Sequence, residues 1–223
     1  MVTKKSGQIS DSRRLAVILA LSGGLMDAYT YILRGGVFAN AQTGNILLLG
    51  VNLAGGNFRT ALRYFFPVVA FAVGIIISEV IKRLFVRDGI FHWRQLAVLA
   101  EIVILFAVGL IPISCNMAAN VLVSFACGIQ VESFRKVKGN ASATTMCIGN
   151  LRSGTQAMCD YVFTHDRKFL SKGFIYYEII LSFTIGAITG NLLIGFWETK
   201  AIWGSCILLL AGFLLMFIQS SEK

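Results

Sequence analysis

Charge is scarce in this sequence. Only 14% of its 223 residues are Asp, Glu, Lys or Arg, where a soluble domain carries about a quarter. With 56% hydrophobic residues and a mean hydropathy of +0.73, that scarcity excludes an ordinary water-soluble globule and a disordered chain. Histidine is nearly missing, with His92 and His165 the whole complement. Proline is limited to Pro67 and Pro112, each near the end of an apolar run, where a missing backbone donor costs least. The cysteines, Cys115, Cys127, Cys147, Cys159 and Cys206, are odd in number and show no C-x-x-C spacing. That excludes a disulfide framework and a zinc site and leaves them as small apolar packing residues. No metal-ligand spacing, phosphate loop or nucleophile–base pair stands out, so neither an enzyme nor a cofactor is expected.

The formal charge of +9 raises the question of nucleic acid. The basic residues form no interleaved aromatic-basic surface, however, so no nucleic-acid partner is expected. In an apolar chain they set orientation in a bilayer instead. The first apolar run follows Lys4, Lys5, Arg13 and Arg14 and continues to Asp27 without a small-residue cleavage site. It reads as a span rather than a cleaved signal peptide.

What is present is a series of apolar runs, near 15–33, 46–56, 64–81, 96–113, 117–134, 143–158, 173–196 and 201–218. Six approach the roughly 20 residues that cross a hydrocarbon core of about 30 Å. The second and sixth are short or diluted with polar residues. The twenty Lys and Arg residues decide whether those two cross. If all eight runs cross, ten lie inside, nine outside, and Arg152 is stranded in a span. If the second and sixth enter and leave on one side, sixteen lie inside and only Arg34, Arg59, Arg63 and Lys200 outside. The positive-inside rule selects the second arrangement. The expectation is an all-α polytopic membrane protein with six transmembrane helices, two re-entrant half-helices and both termini cytoplasmic. His92 and His165 then fall in cytoplasmic loops, and Trp93, Trp197 and Trp203 at span ends, as interfacial anchors do.

An offset of 105 residues sets Gly23 on Gly128, Asp27 on Glu132, Tyr29 on Phe134, Gly44 on Gly149 and Asn45 on Asn150. It also carries the run near Leu96 onto that near Ala201, with seven extra residues around 165–172 in between. Each half reads span, short polar segment, span, span. Three crossings are an odd number, so one membrane domain over 1–223 would hold two inverted repeats, 12–114 and 115–220. Paired Gly-interrupted short segments at matching positions point to a site at the repeat interface. Asn45 and Asn150 would cap the half-helix turns or offer amides to a solute; Thr43, Gly44 and Gly149 would shape them.

The acids sharpen the site. Asp27 lies deep in the first span with no base within a turn. Intramembrane carboxylates face a partner or a wet cavity and are functional candidates by default. Glu132 is its counterpart, although Arg135 and Lys136 at i+3 and i+4 also suit an interfacial pair. Glu79, beside Lys82 and Arg83, and Glu178, near Lys172, read as interfacial; Glu101 is left undecided. Recurrent small residues (Ala70, Gly74 and Ser78; Gly186 and Gly190) mark close helix packing, with a homodimer contact as the alternative.

The stretch "GGLMDAYTYILRGGVFANAQTGNILLLG" resembles the signature of the YoaK-like family of bacterial inner-membrane proteins, defined by a domain of unknown function. Gly24, Asp27, Ala28, Thr43, Gly44 and Asn45 carry the resemblance. The second half departs from it, with Gln130 followed by Val131 and Ile148-Gly149-Asn150 where a Gln-Asn pair and a Thr-Gly are expected. The resemblance implies a bacterial plasma-membrane location and names no cargo. The reading that follows is a small transporter or channel for a polar solute, ion or proton. Its path would be lined by Asp27, Asn45, Asn150, Thr43 and Glu132, and its partner would be the lipid bilayer. The alternative is a non-transporting scaffold, assembly factor or lipid-interacting protein.

Overall fold

The computed structural model describes residues 12–85, 93–137, 140–141 and 145–218. Lys4, Lys5, Arg87, His92, Lys138 and Lys223 lie outside the described residues. The described residues form eight α-helices: α1 (Arg13–Leu33), α2 (Gln42–Ala54), α3 (Phe58–Phe85), α4 (Trp93–Val108), α5 (Asn116–Ser133), α6 (Cys147–Thr164), α7 (Arg167–Trp197) and α8 (Trp203–Ile218). A minimal antiparallel hairpin pairs β1 (Lys136–Val137) with β2 (Asn140–Ala141). Among the described residues, four helical stretches are long and apolar enough to cross a membrane: Arg13–Leu33, Phe58–Leu84, Ile113–Ser133 and Arg167–Met216. The protein is thus an all-helical membrane-type chain. α4, at 16 residues, falls short of the others. Pro67 lies inside α3, beyond the run-end position its sequence context suggests; neighbouring helices and side chains make such a break tolerable in an apolar medium.

Side-chain register gives the direction of each helix. Arg13 pairs with Glu178, an added Cβ on Gly186 would overlap the carbonyl of Leu21, and Gly190 meets Leu25, so α1 and α7 run parallel. The Ser78 and Ser133 hydroxyls are 3.0 Å apart, and Gly74 faces Phe125, so α3 and α5 are parallel as well. The amide of Asn120 reaches the carbonyl of Arg34, and Gln130 that of Leu19; α1 and α5 are therefore antiparallel. α8 returns antiparallel to α7: Gly204 meets Leu25 and Leu193, and Gly212 meets Leu15. The 50-residue stretch is thus two elements folded at Glu198, where φ is 46°.

Both parallel pairs touch backbone to backbone. A Cβ on Gly74 would overlap the carbonyl oxygen of Phe125, and one on Gly128 that of Phe71. Gly24 meets the carbonyl of Phe183 and Gly186 that of Leu21 in the same reciprocal way. Small residues are what allow helices to approach this closely in an apolar medium, where packing rather than water drives association. These faces are occupied within the chain. The main apolar core lies among α1, α4, α5 and α8, around Leu19, Met26, Leu105, Val123 and Leu209.

α2 and α6 each leave and regain one end of the bundle. α2 is short as expected, whereas α6 runs on to 18 residues, past the apolar run that ends near 158 and longer than α4 or α8. After α1, Gly35 and Gly36 take φ of 89° and 77°, a conformation glycine accepts without Cβ strain. The chain then runs back along α1 until Asn40 meets Asp27 and Gly23. From there α2, whose 13 residues span about 20 Å, climbs back beside α3. The Arg63 guanidinium near the start of α3 donates to the carbonyl of Gly35 at 3.2 Å, which places the start of α3 level with the end of α1. On the other side, Thr145 touches Gly23 in the middle of α1. From that level α6 runs antiparallel to α7, with Gly154 against Tyr176 and Met158 against Gly173.

Candidate functional site: a cavity at two helix starts

A cavity of about 940 Å³ lies where the starts of α2 and α6 meet α1 and α7, with Phe71 of α3 at its edge. Asp27 is the only carboxylate or cation on its wall among the described residues. Asn40, Gln42, Thr43, Thr145 and Asn191 add polar groups, and the rest of the wall is mostly apolar. Its mouth is rimmed by exposed Tyr31, Ile32, Ile148 and Ile188.

Asp27 is buried and holds the break before α2. Its Oδ1 accepts the Asn40 N–H at 2.7 Å, and the N–H groups of Ala39 and Ala41 also face the carboxyl. A carboxylate at a helix start is favoured both by these free donors and by the helix dipole. Asn40 in turn donates from Nδ2 to the carbonyl of Gly23 at 3.2 Å. Its Oδ1 and the Thr145 hydroxyl are buried without a hydrogen-bond partner among the described residues. Such orphans are uncommon in folded proteins and call for water, an ion or a ligand.

The other sequence candidates are placed as follows. Thr43 and Gly149 stand on the cavity wall. Gly44 lies beneath the Phe38 ring, which stacks on Tyr31 at 4.8 Å between centroids. Asn45 is fully buried and faces away from the cavity. It clasps the turn: Oδ1 accepts from the Phe38 N–H at 3.0 Å, and Nδ2 donates to the Phe38 carbonyl at 2.7 Å and to Gln42 Oε1 at 2.8 Å. Asn150 is buried in α6 and does not line the cavity. Glu132 does not approach Asp27; it pairs with Arg135 at 3.1 Å near the end of α5. The short range of an i,i+3 partner settles its place.

Arg34, counted as a loop charge by topology, is fully buried. Its guanidinium donates to the Tyr29 hydroxyl, the Asn116 amide oxygen and the carbonyls of Val108, Ile111 and Pro112. The carbonyl-rich end of α4 is a partial negative charge, and no carboxylate is needed to hold the cation there. Glu178 pairs with Arg13 of α1 rather than with Lys172, because the parallel α1–α7 register sets the two side by side. Glu79 bonds Lys82 at 2.7 Å and Arg83 at 2.9 Å. Local sequence could reveal the polar patch at 40–45, but not that Thr145 would join it from a point more than a hundred residues later.

Among the described residues, no group of three or more His, Cys, Asp or Glu is arranged to hold a metal ion. Neither a curated protein nor a solved structure matches the chain. Residues 15–215 match the family described as "Protein of unknown function (DUF1275)", and the chain belongs to that family.

Proposed function

We propose that this protein is a small transporter or channel for a polar solute or ion, with its path through the cavity at Asp27. The observation that carries the reading is that α2 and α6, which each leave and regain one end of the bundle, begin at one cavity beside a buried carboxyl. Broken helices with their starts at bilayer mid-depth are how many transporters bind cargo, and irregular backbone at that depth is tolerated only in protein or beside a wet cavity. In this reading Asp27, Asn40, Thr43 and Thr145 meet the cargo, and no covalent chemistry is performed. The chain sits in a bacterial plasma membrane with six spans and both termini cytoplasmic.

The reading includes two inverted repeats, 12–114 and 115–220. Three features support it: antiparallel α1 and α5, the reciprocal glycine contacts of α1–α7 and α3–α5, and the packing of α2 on α3 and α6 on α7. Shifting α3 by 112, the offset of 105 plus the seven extra residues, sets Phe71 on Phe183, Gly74 on Gly186 and Ser78 on Gly190.

The test is flux into proteoliposomes across a panel of ions and small solutes. Because Asp27 also anchors α2, Asp27→Asn is paired with Thr184→Trp, which fills the cavity from an exposed position on α7. Flux that both variants abolish supports transport. The mostly apolar wall and the exposed rim at Ile32 and Ile148 favour a second reading, a lipid-interacting protein. Silence across the panel from folded protein, with lipid retained by wild type and lost in Thr184→Trp, would establish that one instead.

A further inference from the structure

We propose that Glu101 is an exchangeable proton-binding site in the bundle core, separate from the cavity at Asp27. Glu101 sits midway along α4 and is completely buried. Both carboxyl oxygens are inaccessible and have no hydrogen-bond partner among the described residues. An ionised carboxylate without a partner in such a place costs several kcal/mol of lost hydration, so the packing suits the neutral acid.

The neighbours on each packed element agree. On α5 the nearest ionisable group is Cys127, and on α8 it is Cys206; both thiols lie within electrostatic reach of Glu101. Cys206 points to the Ile102 carbonyl at 3.7 Å and Cys127 to the Met26 sulfur at 3.8 Å, so neither thiol satisfies the acid. From α1, Asp27 acts on the same Cys127. Arg34 is saturated by Tyr29, Asn116 and the carbonyls ending α4. Arg94 lies over the Trp93 ring two turns earlier on α4. Glu79, Lys82 and Arg83 of α3 are paired with one another. In the turn before α8, Lys200 lies over the Trp203 ring.

In this proposal exchange runs toward the Asp27 cavity by way of Cys127. Cys127 feels both acids and lies within hydrogen-bonding reach of the Asn40 side chain, which adjoins Asp27. The hydroxyls of Ser22 on α1 and Ser124 on α5 are also buried without partners among the described residues, so the bundle core is not uniformly apolar. The step is a plain proton transfer: the O–H bond of the Glu101 acid breaks, its electron pair stays on the carboxylate, and water in the Asp27 cavity accepts the proton. Intramembrane acids of this kind serve as proton relays in pumps and transporters.

The inference rests on the membrane fold and not on the identity of a cargo. Infrared spectroscopy of the full chain in lipid vesicles tests it. The expected result is a protonated-carboxyl band at neutral pH that Glu101→Gln removes and Asp27→Asn retains. The band should shift within minutes in deuterated buffer and fade as pH is raised. Three outcomes overturn the proposal: no such band, a band removed only by Asp27→Asn, or a Glu101 band that neither exchanges nor titrates. Gln has nearly the shape of Glu and leaves no partner unpaired, so Glu101→Gln should stay folded, which a helical circular dichroism spectrum checks. A Glu101 band in a protein that moves no solute would keep the proton site and sink the transport reading alone.

Discussion

α2 and α6 start at one cavity but differ in length, 13 residues against 18, and in the contacts along them. The start of α2 is tied by polar side chains: Asp27 takes the Asn40 N–H, Asn45 clasps Phe38 and Gln42, and Gln42 reaches the Ala39 carbonyl at 2.8 Å. Neither helix has a side-chain cap at its N-cap residue, Ala41 for α2 and Met146 for α6. α6 is held along its length by α7, through Gly154 on Tyr176 and the Thr155–Tyr177 hydroxyl pair at 3.0 Å. The contacts described at the start of α2 are polar side-chain ties, and those described along α6 are helix packing. Asn45 and Asn150, aligned by sequence, are both buried near the start of their helices.

Several measurements would break or sharpen this comparison. The largest effect is all-or-none. In a background freed of native cysteines, Arg59→Cys at the start of α3 should label only from outside, and Arg167→Cys at the start of α7 only from inside. Labelling of both from one side would end the inverted pairing. Next come the two close helix contacts. Gly74→Leu and Gly186→Leu each drive a side chain into facing backbone and should cost about 3 kcal/mol or more, read as a lost or strongly lowered melting transition in detergent. Tolerance of one but not the other would show that the contacts are not equivalent.

Asn45→Ala leaves the Phe38 backbone groups and Gln42 unpaired in a buried turn. It should cost about 1–3 kcal/mol, whereas Thr155→Ala, on an exposed surface, should cost no more than about 1 kcal/mol. A reversed order in thermal unfolding would show that the polar ties matter less than the packing. The smallest effect is expected for Arg13→Ala. The Arg13–Glu178 pair is partly exposed, and such pairs contribute about 0–1 kcal/mol, so the melting temperature should barely move.

Much of the architecture was legible because it follows from short-range rules. The start of α2 at Gln42 could be read from the glycines and polar residues that interrupt an apolar run. Glu79 and Glu132 could be paired from i+3 and i+4 spacing alone. The site was legible only in part. Asp27 and Thr43 stood out, but Thr145 carries no local signal, and Arg34 read as a loop charge until α4 was seen to end against it. Glu101 was equally opaque, since sequence shows that an acid lacks a near neighbour but not that it lacks a distant one.

Composition and periodicity by themselves determined that the chain is helical, apolar and interrupted twice, because those properties depend on hydration of side chains and on backbone donors within a few residues. The tertiary structure alone decided which interruptions meet, which cation is buried, and which acid is left without a partner. Those outcomes depend on the register between helices, set where Gly24, Gly74, Gly128 and Gly186 let backbones touch. Register of that kind is a property of two surfaces together, and neither stretch of sequence contains it.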